Sequence, residues 1–359
     1  MKPLTRRYDG LDAVRAGAML LGLAYHATYA WLPDVARWYF VSDASPVPLL
    51  LTVTGVLHAF RMQLFFALSG FFSHLVFESR GAGAYFVDRS RRLLVPFVFA
   101  LPLVVVLDVL LRRQALALGL MSPEYGPGAR VHLSPVHLWF LVYLWSFCAL
   151  AVALPAWGAP SRLVERALTR FPPALLLLAV PTSLGLLLHP ENQPQAHLWP
   201  LPFEAFHYGL FFTFGWWLWP AREALPALTR HGAWLTLAGL ALALFVFSGP
   251  LQWQRVGHVL AGVVAWAMTL GALGLAFAVP SKPRPWLRFL VEASYWVYLV
   301  HYPVVLGLQL LFVQLSLPGA VEYLATVALT LAFALLTFVL FVRRTALGPW
   351  LGVKRAPVR

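Results

Sequence analysis

Apolar runs of about 20 residues recur along the chain, separated by short polar loops, and inside each run the hydrophobic positions are continuous. A hydrocarbon core about 30 Å thick takes about 20 helical residues to cross. Strands of a membrane barrel would instead alternate apolar and polar positions. The pattern therefore predicts an all-α polytopic membrane protein with about ten transmembrane helices. They fall roughly over 11–31, 49–77, 93–111, 135–155, 173–189, 204–220, 232–249, 256–279, 287–310 and 321–342. The second is long enough to tilt or to extend beyond the bilayer. The fifth is short and carries Pro181. No internal repeat or low-complexity tail interrupts the pattern, so 1–359 reads as a single membrane domain.

Composition strengthens this reading. The chain is 60% hydrophobic and only 11% charged, with a mean hydropathy of +0.73, which excludes an ordinary soluble domain. Taken alone, a net charge of +13 would suit nucleic acid, but its distribution points elsewhere. Lys2, Arg6, Arg7, Arg80, Arg89, Arg91, Arg92, Arg162, Arg166, Lys282, Arg284, Arg343 and Arg344 all fall on one side of the predicted spans. Only Arg37, Arg112, Arg113, Arg130 and Arg255 fall on the other. Basic loops mark the cytoplasmic side, so both termini are expected in the cytoplasm, with no nucleic-acid partner. The first apolar segment lacks a clear cleavage site and reads as a retained signal anchor. The single Cys148 excludes an internal disulfide. No HExxH or comparable ligand spacing occurs, so no metal is expected.

Candidate chemistry begins in residues 12–26, DAVRAGAMLLGLAYH. Charged groups within a membrane span are costly and mark function by default. The spacing from Arg15 to His26 is close to three helical turns, so both share one face, with Asp12 on the same stripe. At 1.5 Å rise per residue His26 lies roughly 16 Å along the helix from Arg15. One helix thus carries an Asp/Arg pair near one membrane surface and a histidine near mid-depth. In the second segment, FRMQLFFALSGFF places Arg61 inside an apolar run, and Ser69-Gly70 offers a close-packing notch. Arg61 either snorkels to the interface or faces a cavity. Arg89 and Arg92 are three apart at a helix start and project from the same side. Arginine suits bidentate phosphate binding, and basic anchoring is the alternative. HLWFL begins at His137, and SYWVYLVHYP places His301 at membrane depth just before Pro303. Glu204 and His207, three apart, either bind an acceptor or sit hydrated at the membrane surface, and hydration is the expectation.

These segments, in this order, resemble the acyltransferase-3 family. Arg15 and His26 match its R-X10-H motif, FFALSGFF its FFxLSGF signature, and Arg89-X-X-Arg92 its second motif; HLWFL and SYWVYLVHYP match later segments. FRMQLFF looks most like the branch acting in glucan biosynthesis, which is taken to succinylate periplasmic glucans. The resemblance implies a bacterial inner-membrane enzyme with acyl-CoA as co-substrate and no further cofactor. It assigns catalysis to His26 and Arg15, which Asp12 joins from its place on the same stripe by holding Arg15, and acyl-CoA phosphate binding to Arg89 and Arg92. Arg61, His301, Ser69 and His137 become cavity or substrate residues. The expected reaction moves an acyl group, succinyl or acetyl, from cytoplasmic acyl-CoA to a hydroxyl of a glucan or another envelope carbohydrate. His26 acts either as general base or as an acylated nucleophile. A proton-coupled transporter, with Asp12, Arg15 and His26 as a relay, is the rival reading.

Overall fold

A computed structural model describes residues 9–35, 39, 41–121, 134–154, 161–169, 173–189, 197–279, 284–345, 347–351 and 353. The described residues form helices and connecting loops, with no strand among them. In chain order the helices are α1 Asp9–Ala27, α2 Pro48–Arg80, α3 Ala82–Ala117, α4 Trp139–Ala153, α5 Ser161–Thr169, α6 Pro173–Leu188, α7 Pro202–Leu218, α8 Leu225–Phe247, α9 Arg255–Ala278, α10 Pro285–Phe312, α11 Gly319–Thr337 and α12 Leu347–Trp350. A π-helical turn, Phe338–Arg343, continues α11.

Seven of these are long and apolar enough to cross a membrane: α2, α3, α4 with the turn before it, α8, α9, α10 and α11. The other predicted segments also fold as helices. α1 has 19 residues and carries Asp9, Asp12 and Arg15, α6 has 16 residues, and α7 has 17. Exposed side chains on α3, including Val98, Phe99, Leu103, Val106 and Leu110, form an apolar face suited to lipid.

α3 runs to Ala117 rather than 111 and α8 begins at Leu225 rather than 232, and three further differences from the sequence reading have a local cause. α1 ends at Ala27 rather than near 31 because other groups take its last carbonyls: the Thr28 hydroxyl donates to the Tyr25 carbonyl at 2.8 Å, and the Gln309 side chain donates to those of His26 and Ala27. α3 begins at Ala82, well before 93, so Arg89, Arg91 and Arg92 lie within the helix. The tight α2–α3 turn needs Gly81 at φ +78°, a conformation that favours glycine. α5 falls between two predicted spans. It buries Val164 and Leu168 and exposes Arg162, Glu165 and Arg166, an amphipathic pattern too short and polar to be read as a span.

α1 packs against α10, α2 and α9, α2 lies along α7, and α8 pairs with α9. Glycine permits the closest approach. A Cβ at Gly70 would overlap the Phe212 carbonyl, and one at Gly215 would overlap that of Ala67, so α2 and α7 touch backbone to backbone. The notch read at Ser69-Gly70 is thus used through Gly70. Around this crossing lies an aromatic core that includes Phe65, Phe66, Phe140, Phe147, Tyr208 and Trp216. At the far end of α1, buried Glu322 of α11 accepts from Trp31 Nε1 at 2.8 Å and from the Leu317 amide at 3.1 Å. These bonds tie the turn after α1 to α11.

Candidate active site

Polar side chains gather in two places along α1. At its start Asp12 pairs with Arg15 at 3.1 Å. The Arg15 guanidinium lies 5.5 Å from the Phe72 ring centre, and Arg89 donates to the Phe72 carbonyl at 3.4 Å. Arg15 also feels the charges of Arg89 and Arg92. Arg92 is held by Asp88 at 3.1 Å, and Arg80 approaches the same carboxylate at 3.7 Å. Arg89 Nε is buried and makes no hydrogen bond. Three arginines from α1 and α3 therefore converge, with Asp12 and Asp88 beside them. Such a set suits an anion of several charges, and phosphate groups fit the arginine fork.

The second cluster surrounds His26, which is half-buried. Its ring lies 5.3 Å from that of His301 and 5.4 Å from that of Tyr302. His301 in turn lies 5.0 Å from His137, which stacks on Tyr302 at 5.1 Å. His26 Nδ1 is buried without a partner. Nearby, Tyr25 bonds to His58 Nδ1 at 3.0 Å, and the Arg61 guanidinium covers the Tyr25 ring at 4.9 Å. Arg61 reaches across to α1, where any side chain at Gly22 would meet it. It is 8% exposed, its Nε has no partner, and it joins no ion pair among the described residues. Arg61 thus points into the protein rather than snorkelling outward.

The candidate residues separate accordingly. His26, His137, His301 and Arg61 come together, whereas Asp12 and Arg15 join Arg89 and Arg92. Ser69, half-buried further along α2, belongs to neither cluster. α10 serves both. Tyr295 donates to the Arg92 carbonyl at 2.8 Å, and Tyr298 and His301 follow on the same helix. The expectation that Glu204 and His207 are hydrated is overturned. Both are 4% exposed, and His207 Nε2 lies 3.1 Å from Gln63 Nε2. α7 carries them into the interior, because its glycine contact draws it onto α2. His58, Gln63, Tyr25 and Gln309 were not singled out from sequence. His58 had a usable signal, lying three residues before Arg61 on one helix face.

Among the described residues no group of three His, Cys, Asp or Glu could hold a metal ion. A largely apolar groove of about 220 Å3 beside Gly10, Val14, Ala276 and Trp286 opens on the first turns of α1, and no residue of either cluster lines it.

Comparison with known proteins accords with this arrangement. Residues 8–340 match the family model described as an acyltransferase domain, of acyltransferase type 3. The glucans biosynthesis protein C of Salmonella paratyphi B and that of Salmonella dublin are each 25% identical over 331 residues, covering 85% of this chain and 83% of the relative. The protein of the same name from Salmonella heidelberg is 24% identical over 330 residues. No solved structure matches. The matched region takes in both polar clusters and all the apolar helices that hold them, and the chain belongs to the acyltransferase-3 family of multi-pass membrane acyltransferases.

Proposed function

We propose that the chain is an O-acyltransferase of the bacterial inner membrane that passes an acyl group, succinyl in our reading, from cytoplasmic acyl-CoA to a hydroxyl of a periplasmic glucan. One observation carries this: α1 links an arginine cluster at one end to a histidine cluster roughly 16 Å further along. Arg89, Arg92 and Arg15 hold the phosphates of CoA at the cytoplasmic surface. The pantetheine arm then runs along α1 and brings the thioester to His26. Asp12 keeps Arg15 in place.

His26 takes the proton of the acceptor hydroxyl. The oxygen attacks the thioester carbonyl, a C–O bond forms and the C–S bond breaks. The departing thiolate receives the proton from His26, which returns to its neutral form. Transfer is direct, and CoA never leaves the cytoplasmic side. Arg61 meets the free carboxylate of a succinyl group. It is buried and lacks an anionic partner among the described residues, and an unpaired charge in a low-dielectric interior is costly until an anion arrives. The relatives named for glucan biosynthesis support the choice of acceptor.

Mass spectrometry of periplasmic glucans tests the reading. Cells without their own enzyme would express wild type or His26→Ala at matched membrane levels. Wild type is expected to add succinyl mass to the glucans and His26→Ala to add none. Unmodified glucan with both proteins refutes the acceptor, and equal modification refutes the role of His26.

A further inference from the structure

The two histidines beside His26 are fixed as to which ring nitrogen carries hydrogen. His137 Nε2 lies 3.1 Å from the Tyr298 carbonyl and 3.3 Å from that of Leu299. A carbonyl can only accept, so Nε2 is the donor and, in the neutral ring, Nδ1 holds the lone pair. His301 Nδ1 lies 2.8 Å from the Tyr298 carbonyl and 3.2 Å from that of Val297. Its lone pair therefore sits on Nε2. Both lone-pair atoms, His137 Nδ1 and His301 Nε2, are buried and without a partner, although the rings themselves lie 5.0 Å apart.

The backbone is arranged to hold this state. In a regular helix the Leu299 carbonyl would accept from the amide of residue 303, but Pro303 has no amide hydrogen. The freed carbonyl is one of those that His137 bonds. On the other side, Val136, immediately before His137, adopts φ +50°. A β-branched residue rarely accepts that conformation, and such strain persists where the surroundings demand it. Here it leads the chain from Pro135 into a turn that buries His137.

Two fixed acceptors need a ligand that brings donors. A thioester and a carboxylate carry only acceptors. A carbohydrate carries hydroxyls. Resting on the function proposed above, we infer that His137 and His301 read the acceptor. Their lone pairs take hydrogen bonds from hydroxyls flanking the one that His26 deprotonates. The site thereby selects a polyol with hydroxyls on neighbouring carbons, and Pro303 is the positioning residue that keeps His137 turned inward.

The test uses the full chain in lipid nanodiscs with succinyl-CoA, offering methyl glucoside and its monodeoxy analogues as acceptors. Release of free CoA thiol and ester formation give kcat and KM for each. With wild type, removing a neighbouring hydroxyl is expected to lower kcat/KM roughly tenfold, mainly through KM, as one lost hydrogen bond implies. His137→Gln keeps a donor for the carbonyls, but its acceptor becomes the amide oxygen, which no longer occupies the Nδ1 position; His301→Asn likewise keeps the donor at Nδ1 and loses the acceptor at the Nε2 position. Each variant should lose the discrimination against one deoxy analogue, so that parent and analogue react within about twofold. Pro303→Ala restores an amide for the Leu299 carbonyl and should match His137→Gln. It also decides the matter if the histidine variants fail to fold. Deoxy discrimination equal to wild type in folded variants overturns the inference alone. If wild type acylates another acceptor but no glucoside, the proposed function falls and this inference with it.

Discussion

Gln309 donates to the backbone carbonyl of His26 at 3.2 Å, from a position on α10 that is fully buried. The same amide reaches the Ala27 carbonyl, and its oxygen accepts from Tyr39 at 3.0 Å. One side chain thus closes the last turn of α1 and fixes the height of His26 relative to His301. Gln309→Leu would leave these groups buried without partners, at about 1–3 kcal/mol. A lower Tm is expected. Misplacement of a catalytic group by about 1 Å costs up to about 100-fold in rate, so kcat should fall between about 10- and 100-fold. Unchanged kcat with a lower Tm would show that His26 does not depend on this closure.

The two arginines of the Arg-X-X-Arg pair are not equivalent. Arg92 is 46% exposed and already paired with Asp88, whereas Arg89 keeps a buried, unpartnered Nε. Charge-assisted hydrogen bonds are worth about 1.5–3 kcal/mol, and exposed ion pairs less than about 1 kcal/mol. Arg89→Gln should weaken CoA binding about 10- to 100-fold and Arg92→Gln less than about tenfold. Asp88→Asn, which releases Arg92, should tighten it. Calorimetric titration with CoA at two salt concentrations measures all three. The reverse ranking would place the phosphates on the exposed side of α3.

What could be read from the chain follows from how costly polar groups are in an apolar span. Asp12, Arg15, His26 and Arg61 stand out because each falls within an apolar run. Their separation into two groups was also partly visible, since helical rise sets the distance from Arg15 to His26. Their partners were not legible. Gln63 meets His207, Tyr25 meets His58, and Gln309 meets His26 only once α2, α7, α1 and α10 are side by side. No spacing within one helix encodes such a meeting. Glu204 and His207 misled for the same reason. Near the end of an apolar run they look hydrated, and only the α2–α7 contact buries them.

That contact gives a prediction about stability. A Cβ at Gly215 would overlap the Ala67 carbonyl, whereas one at Gly17 of α1 would meet nothing within 4 Å. Overpacking costs about 1–3 kcal/mol. Gly within a helix is about 0.5–1 kcal/mol worse than Ala. Gly215→Ala should therefore lower the Tm and Gly17→Ala raise it, as followed by thermal unfolding in detergent. A neutral Gly215→Ala would mean that α2 and α7 can separate without cost.

Arg61 yields the prediction with opposite signs. Its guanidinium is buried over Tyr25, with no carboxylate paired to it among the described residues. Replacing a buried charge with an apolar side chain of similar volume is often neutral or stabilising, so Arg61→Met should leave the Tm equal or higher. Breaking a buried pair by removing one partner costs about 3–5 kcal/mol. If Arg61 receives the carboxylate of a succinyl donor, Arg61→Met should lower kcat/KM for succinyl-CoA by about 100-fold or more. Acetyl-CoA brings no carboxylate on its acyl group and should lose little. Ester formation with the two donors, measured side by side, separates the possibilities. Equal losses with both would assign Arg61 to the thioester or to His26 rather than to the acyl tail. Loss of stability would show that a partner for Arg61 already exists in the resting protein.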